Sequence, residues 1–294
     1  MNDRPNARAG FFFALAAYSY WGVVILYWKA IGYIDPLEVV AHRAFWAVPF
    51  AGIILLWMGR TGDILPALRS PRTLAIMLTC SIMISINWGF FVWAIAVERV
   101  LETALAYFIN PLLTVALGAF FLGDKFNRMQ LVAIALATVA VLYLTFVGGE
   151  FPWLSLLLAS SFALYGILRK TVSLGPTQGF FIETLLILPF VLLLMIWLAI
   201  EGRAAFLENA VDTGLLLLCG PITAIPLLLY AAGGKRLRLS TLGLMQFIVP
   251  TIIFLIGVFL FKEPLNQTQL IAFVMIWIAL GIYGWSILQS SAEK

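Results

Sequence analysis

The sequence predicts an all-α membrane protein of ten transmembrane helices, arranged as two inverted five-helix repeats. Three observations carry that prediction. Of the 294 residues, 63% are hydrophobic and only 11% charged, against about 25% charged in a soluble domain. The apolar residues gather into ten runs, each near the ~20 residues with which an α-helix crosses a bilayer. Third, the stretch 101–131, LETALAYFINPLLTVALGAFFLGDKFNRMQL, recurs without gaps 139 residues later as STLGLMQFIVPTIIFLIGVFLFKEPLNQTQL.

The recurrence is more than shared apolar composition. Leu105/Leu244, Phe108/Phe247, Ile109/Ile248, Pro111/Pro250, Gly118/Gly257, Phe120/Phe259, Asn127/Asn266, Gln130/Gln269 and Leu131/Leu270 make nine identities in thirty-one positions. Greasy sequence alone does not supply matched Pro, Gly, Asn and Gln. The echo extends outward, with Arg43 and Pro49-Phe50 paralleled by Glu183 and Pro189-Phe190, and Trp21-Gly22 by Tyr165-Gly166.

In chain order, the first run (10–28) is longer than the ~7–15 residues of a signal-peptide core and reads as a spanning helix. The second (36–58) enters at Pro36 and carries Arg43; the third (73–97) carries Asn87-Trp88. The fourth (101–121) has a polar stripe, Thr103, Tyr107, Asn110 and Thr114, at i, i+4, i+7 and i+11, interrupted by Pro111. The fifth (127–147) and tenth (267–288) hold no charge in their interiors and read as outer scaffold. The remaining runs, 152–169, 178–200, 213–233 and 239–261, repeat the plan. A β-barrel would need alternating segments of about ten residues, and these runs are continuous and twice as long.

Orientation follows from Lys and Arg. Thirteen of the 18 cations lie at ends and connections on the N-terminal side: Arg4, Arg8, Arg60, Arg69, Arg72, Lys125, Arg128, Arg169, Lys170, Lys235, Arg236, Arg238 and Lys294. Four, Lys29, Arg99, Arg203 and Lys262, lie opposite, and Arg43 is inside a span. Both termini are therefore expected in the cytoplasm. Five crossings per copy force the second copy (149–294) to enter from the side opposite to the first (1–148). Such inverted repeats place solute sites where they meet, near the midplane.

The residues 102–111, ETALAYFINP, followed by FLGDKFNRMQ, resemble the EamA repeat of the drug/metabolite transporter superfamily. Asn87-Trp88, Trp93, His42-Arg43, Ile182-Glu183-Thr184 and the run RLRLSTLG at 236–243 resemble its RarD branch. The resemblance implies ten helices, a bacterial inner-membrane location and movement of small metabolites or drugs. It names no solute.

Arg43 is the costliest residue, since a charge inside a span costs upward of about 2.5 kcal/mol and usually faces water or a partner. Seven residues from Pro36, it lies about 10 Å into the span. It is expected to hold an anionic group of the solute, or else to pair with Glu38 or Glu102. His42 is the only histidine, four residues from Glu38, and with Glu102 and Glu183 it is a candidate for proton coupling or ion pairing. Further expected solute contacts are Tyr18, Trp21, His42, Asn87, Trp88, Tyr107, Asn110, Tyr165, Glu183 and Gln246. A cation in one half and an anion in the other would suit an anionic or zwitterionic solute.

Cys80 and Cys219 stand alone in apolar runs and suggest neither zinc spacing nor a disulfide. No metal or cofactor site, ATP-binding motif or basic nucleic-acid surface is read from the sequence. The expected partners are a small-molecule substrate and the lipid bilayer, with oligomeric state open. The leading expectation is a secondary carrier, read as an exporter. An integral-membrane enzyme on lipid-linked substrates would need clustered His, Asp or Glu, and a channel or a non-transporting regulator remains the third alternative.

Overall fold

The computed structural model describes residues 7–122, 127–149, 151–234, 236 and 245–292. Twelve α-helices and one π-helical turn are found among them: α1 Ala7–Val23, α2 Ile25–Ala30, α3 Pro36–Met58, α4 Ile64–Arg69, α5 Pro71–Ala96, α6 Val100–Leu122, α7 Arg128–Phe146, α8 Trp153–Lys170, α9 Pro176–Ile200, α10 Ala210–Gly234, α11 Ile248–Leu255 with the π-turn Ile256–Leu260, and α12 Gln267–Ala292. Six spans are long and apolar enough to cross a membrane, and Val100–Thr114, Trp153–Arg169, Ala210–Pro226 and Ile248–Leu260 are shorter apolar helices. Together they occupy the ten predicted runs. Arg4, Lys125, Lys235, Arg238, Lys294, the turn at 123–125 and residues 240–244 lie outside the described residues.

The first run is two helices joined at Val24, which keeps helical backbone angles. A short helix, α4, lies before the third. α6, expected to break at Pro111, continues through it. The carbonyl that proline leaves unpaired is tolerated where neighbouring helices enclose it.

Local chemistry sets the ends. Pro36, Pro71 and Pro176 occupy first helical positions, where a missing N–H costs nothing. Two of the repeated identities have a direct physical role. The Asn127 side chain accepts the Gln130 N–H at 2.8 Å while the Gln130 side chain accepts the Asn127 N–H at 3.0 Å. Asn266 and Gln269 reproduce this capping box at 2.7 and 3.1 Å. Such a cap contributes about 1 kcal/mol.

Helix neighbours obey the duplication. α1 packs on α10 as α8 packs on α5; α3 packs on α10 as α9 packs on α5; α1 packs on α11 as α8 packs on α6. The pairs α3·α9, α6·α11 and α7·α12 are each formed by one helix and its own counterpart. Each of these contacts maps onto another of them, or onto itself, when every span is advanced by five, as a twofold relation between repeats demands. In lipid, helices associate through close packing rather than apolar burial, which favours small residues at seams. Ala41, Ala44, Ala47 and Ala51 are buried along α3, and Ala133, Ala137 and Ala140 along α7, the helix that packs on α12 with its buried Ala272 and Ala279. At Gly22 of α1 an added Cβ would come within 2.7 Å of the Ile252 side chain on α11.

Candidate functional site

Arg43 stands in the first half of α3. Its guanidinium carbon lies 4.1 Å from the Trp88 ring centroid (α5) and 4.9 Å from that of Trp28 (α2). Tyr107, Tyr27 and Cys219 lie within electrostatic range. Nε is sealed from solvent and has no hydrogen-bond partner, and no acidic group among the described residues forms an ion pair with Arg43. The indole faces attract the cation but accept no in-plane N–H. The two carboxylates weighed as its partners are engaged elsewhere: Glu102 pairs with Arg99, and both Glu38 oxygens accept backbone N–H groups.

Beside this cation α6 contributes Tyr107 and Asn110 to a narrow cleft, which also touches Asn87, Phe91, Leu158 and Phe162. The polar stripe on α6 thus divides. Tyr107 and Asn110 face the cleft, and Thr114 donates to Asn110 Oδ1 at 3.3 Å. Thr103 is fully buried and returns its hydroxyl to the Val100 carbonyl at 2.7 Å. Asn87 donates to the Leu158 carbonyl at 2.8 Å and to Ser161 Oγ at 3.0 Å, tying α5 to α8.

Glu183 lies on α9, at the position that matches Arg43 in the duplicated sequence. Its carboxylate accepts the Tyr165 hydroxyl at 3.0 Å and faces Arg169 Nε at 3.2 Å. His42 is buried; its Nδ1 accepts the Trp46 indole N–H at 3.1 Å, and Nε2 lies 3.8 Å from Glu38. Tyr18 and Trp21 form an aromatic triangle with Tyr230 of α10, centroids 5.8–5.9 Å apart. Gln246 is half-buried just before α11.

Trp28, Tyr27, Arg169 and Tyr230 were missed from sequence. Trp28 closes the first run and stands seven residues from Trp21, and so on one helical face. Arg169 was counted as a connection cation, although it follows Tyr165 at i+4 on the same face as that expected contact.

One face of the bundle is closed by polar contacts. Asp35 pairs with Arg203, Tyr33 donates to Asp212, and Lys29 pairs with Glu98 at 3.0 Å. Glu38 accepts the Ala205 and Phe206 N–H groups at 2.8 and 2.9 Å; Glu263 accepts those of Val100 and Leu101 at 2.7 and 2.8 Å. This is the cation-poor face, and most of these contacts join one copy of the repeat to the other. Burial raises the Glu263 carboxyl above its ordinary range, against the opposing pull of those two backbone donors.

An all-helical duplicated bundle, with a buried cation beside a cleft between helices of both copies, is an architecture that membrane transporters use. The family model of the EamA-like transporter family matches residues 8–146 and 152–285, and the chain belongs to that family. Protein RarD of Streptomyces exfoliatus is 38% identical over all of this chain and 94% of its own. Protein RarD of Escherichia coli K12 is 36% identical over 96% of this chain and 95% of its own. The uncharacterized transporter YojE of Bacillus subtilis is 38% identical over 97% and 96%. A solved crystal structure, 16% identical, covers 94% of this chain and 97% of its own at a TM-score of 0.60, and so shares the fold.

Proposed function

We propose that the protein is a secondary carrier that exports a small anionic or zwitterionic solute, such as an amino acid, from the bacterial cytoplasm by alternating access. The solute sits between two inverted repeats, 1–148 and 149–294. The observation that carries this reading is Arg43: a cation inside a span, stacked on two indoles, with Nε left without an acceptor. A solute carboxylate supplies what is lacking. The planar fork suits a carboxylate, and the stacked indoles hold that plane while leaving its N–H groups available. Tyr107, Asn110 and Asn87 line the adjoining cleft. Closure of the cation-poor face by contacts between copies supports a conformer that loads from the opposite, cytoplasmic side.

The test is a thermal-shift panel of amino acids and organic acids on the purified protein, repeated on Arg43→Gln and Asn110→Ala. Charged hydrogen bonds contribute about 1.5–3 kcal/mol, so Arg43→Gln should weaken the best carboxylate at least tenfold. A carboxylate that binds Arg43→Gln as tightly as the parent overturns the assignment. Saturable counterflow in proteoliposomes separates a carrier from a channel, and binding without flux marks a regulator.

A further inference from the structure

The counterpart of Arg43 in the second copy is Glu183, and its surroundings differ in kind. The side chain is 2% exposed. Tyr165 and Arg169 face it from α8, and Cys80 and Ser81 adjoin it from α5. A carboxylate has room for about four hydrogen bonds. Here Oε2 has the Tyr165 hydroxyl, while Oε1, though 3.2 Å from Arg169 Nε, receives no aligned donor. The Ser81 hydroxyl donates instead to the Glu183 and Met77 backbone carbonyls at 2.9 and 2.8 Å.

Arg169 is itself tethered. One terminal nitrogen donates to the Gly175 carbonyl at 3.2 Å, and the other reaches the weak acceptor Met77 Sδ at 3.6 Å. The guanidinium rests over Gly179, where an added Cβ would lie 2.1 Å from it. The absent side chain at 179 is what lets Arg169 reach the carboxylate. Glu183 thus faces a single cation, and one of its oxygens lacks a hydrogen-bond donor. A pair built only to join two helices would direct its N–H groups at both oxygens.

We propose that Glu183 is the proton-coupling residue of the transport cycle. It accepts one proton from water at Oε1, the pair with Arg169 passes from net zero to net positive, and the ion pair that links the middle of α9 to α8 is lost. Arg169 stays bound to Gly175 at the start of α9 and acts as a positioning residue. The proposal rests on the transporter reading, because a proton taken up here has a use only if the two repeats move.

The experiment needs no solute. Infrared difference spectra of the full-length protein in lipid nanodiscs, between pH 5 and 9, should contain a protonated-carboxyl band. It should be absent in Glu183→Gln, return displaced in Glu183→Asp, and shift in Tyr165→Phe, which loses the hydroxyl donor. In a second arm, cysteines replace Asp35 and Arg203 and a short bis-maleimide joins them across the closed face. The joined fraction should change with pH at the midpoint of that band in the parent background, and should show no such step when Glu183→Gln is added. Superimposable spectra for parent and Glu183→Gln, or the same pH step in both backgrounds, overturn the proposal. Carboxylate binding at Arg43 is read separately by thermal shift, so failure of one reading is distinguishable from failure of the other.

Discussion

The Arg43 guanidinium lies 4.1 Å from the centre of the Trp88 ring, a contact that joins α3 to α5 through a cation rather than an apolar side chain. Trp28 lies 4.9 Å away, so indoles from two other helices flank one charge. Each desolvated cation–π contact is worth up to about 2 kcal/mol. We expect Trp88→Leu to weaken carboxylate binding about 5- to 30-fold in thermal-shift titration. Trp88→Phe, which keeps a ring face, should retain most of the affinity. Equal losses in both would mean that Trp88 serves only to fill space.

The Asp35–Arg203 pair and the Tyr33–Asp212 contact hold the first copy of the repeat to the second on the cation-poor face. Permanent closure there should stop a carrier that must open to both sides. A cysteine pair at 35 and 203 linked by a short bis-maleimide is expected to abolish counterflow in proteoliposomes while leaving carboxylate binding within about twofold. Undiminished flux through fully linked protein would show that this face does not open.

Glu263 provides a pH-dependent stability term outside the spans. Burial raises its carboxyl in the folded state, so the native protein binds more proton than the unfolded chain. That contribution is fully present below the unfolded value, near 4.3, and is lost as pH rises through the folded one. Thermal stability should therefore decline slightly from pH 4 upward through that window, and Glu263→Gln should flatten the decline. An unchanged profile in Glu263→Gln would assign the pH response to other groups.

Gly22 and Ile252 pack α1 against α11 with no room for a methyl group. Overpacking of this kind costs about 1–3 kcal/mol. Gly22→Ala should lower the melting temperature by several degrees, and Ile252→Ala in the same protein should recover most of the loss. No recovery in the double variant would place the strain elsewhere. Gly166, the counterpart of Gly22, has open space around its Cβ position, so Gly166→Ala should be close to neutral.

The fold was legible because its signals are one-dimensional. Span length, the duplicated 31-residue stretch and the Asn-x-x-Gln caps all act between residues near in sequence, where helix geometry alone sets who meets whom. The site was legible only in part. Arg43, Tyr107 and Asn110 stood out because polar groups in apolar runs are costly. Not all their partners did, because Trp28, which flanks Arg43, looks like any other apolar position until helices are packed. Nor did sequence show that α6 would continue through Pro111, since that depends on what encloses the freed carbonyl.

The sequence by itself determined a duplicated all-helical membrane bundle and the position of its buried charges, because both follow from hydropathy and helical period. Tertiary structure alone decided how those charges are met: Arg43 by two indoles and, among the described residues, no acid, Glu183 by Arg169, Glu38 by backbone N–H groups of a distant loop and Glu263 by those at the start of α6. The reason is that partners here are separated by 14 to 168 residues. Which of several available carboxylates a cation reaches depends on helix packing, and no periodicity along the chain encodes it.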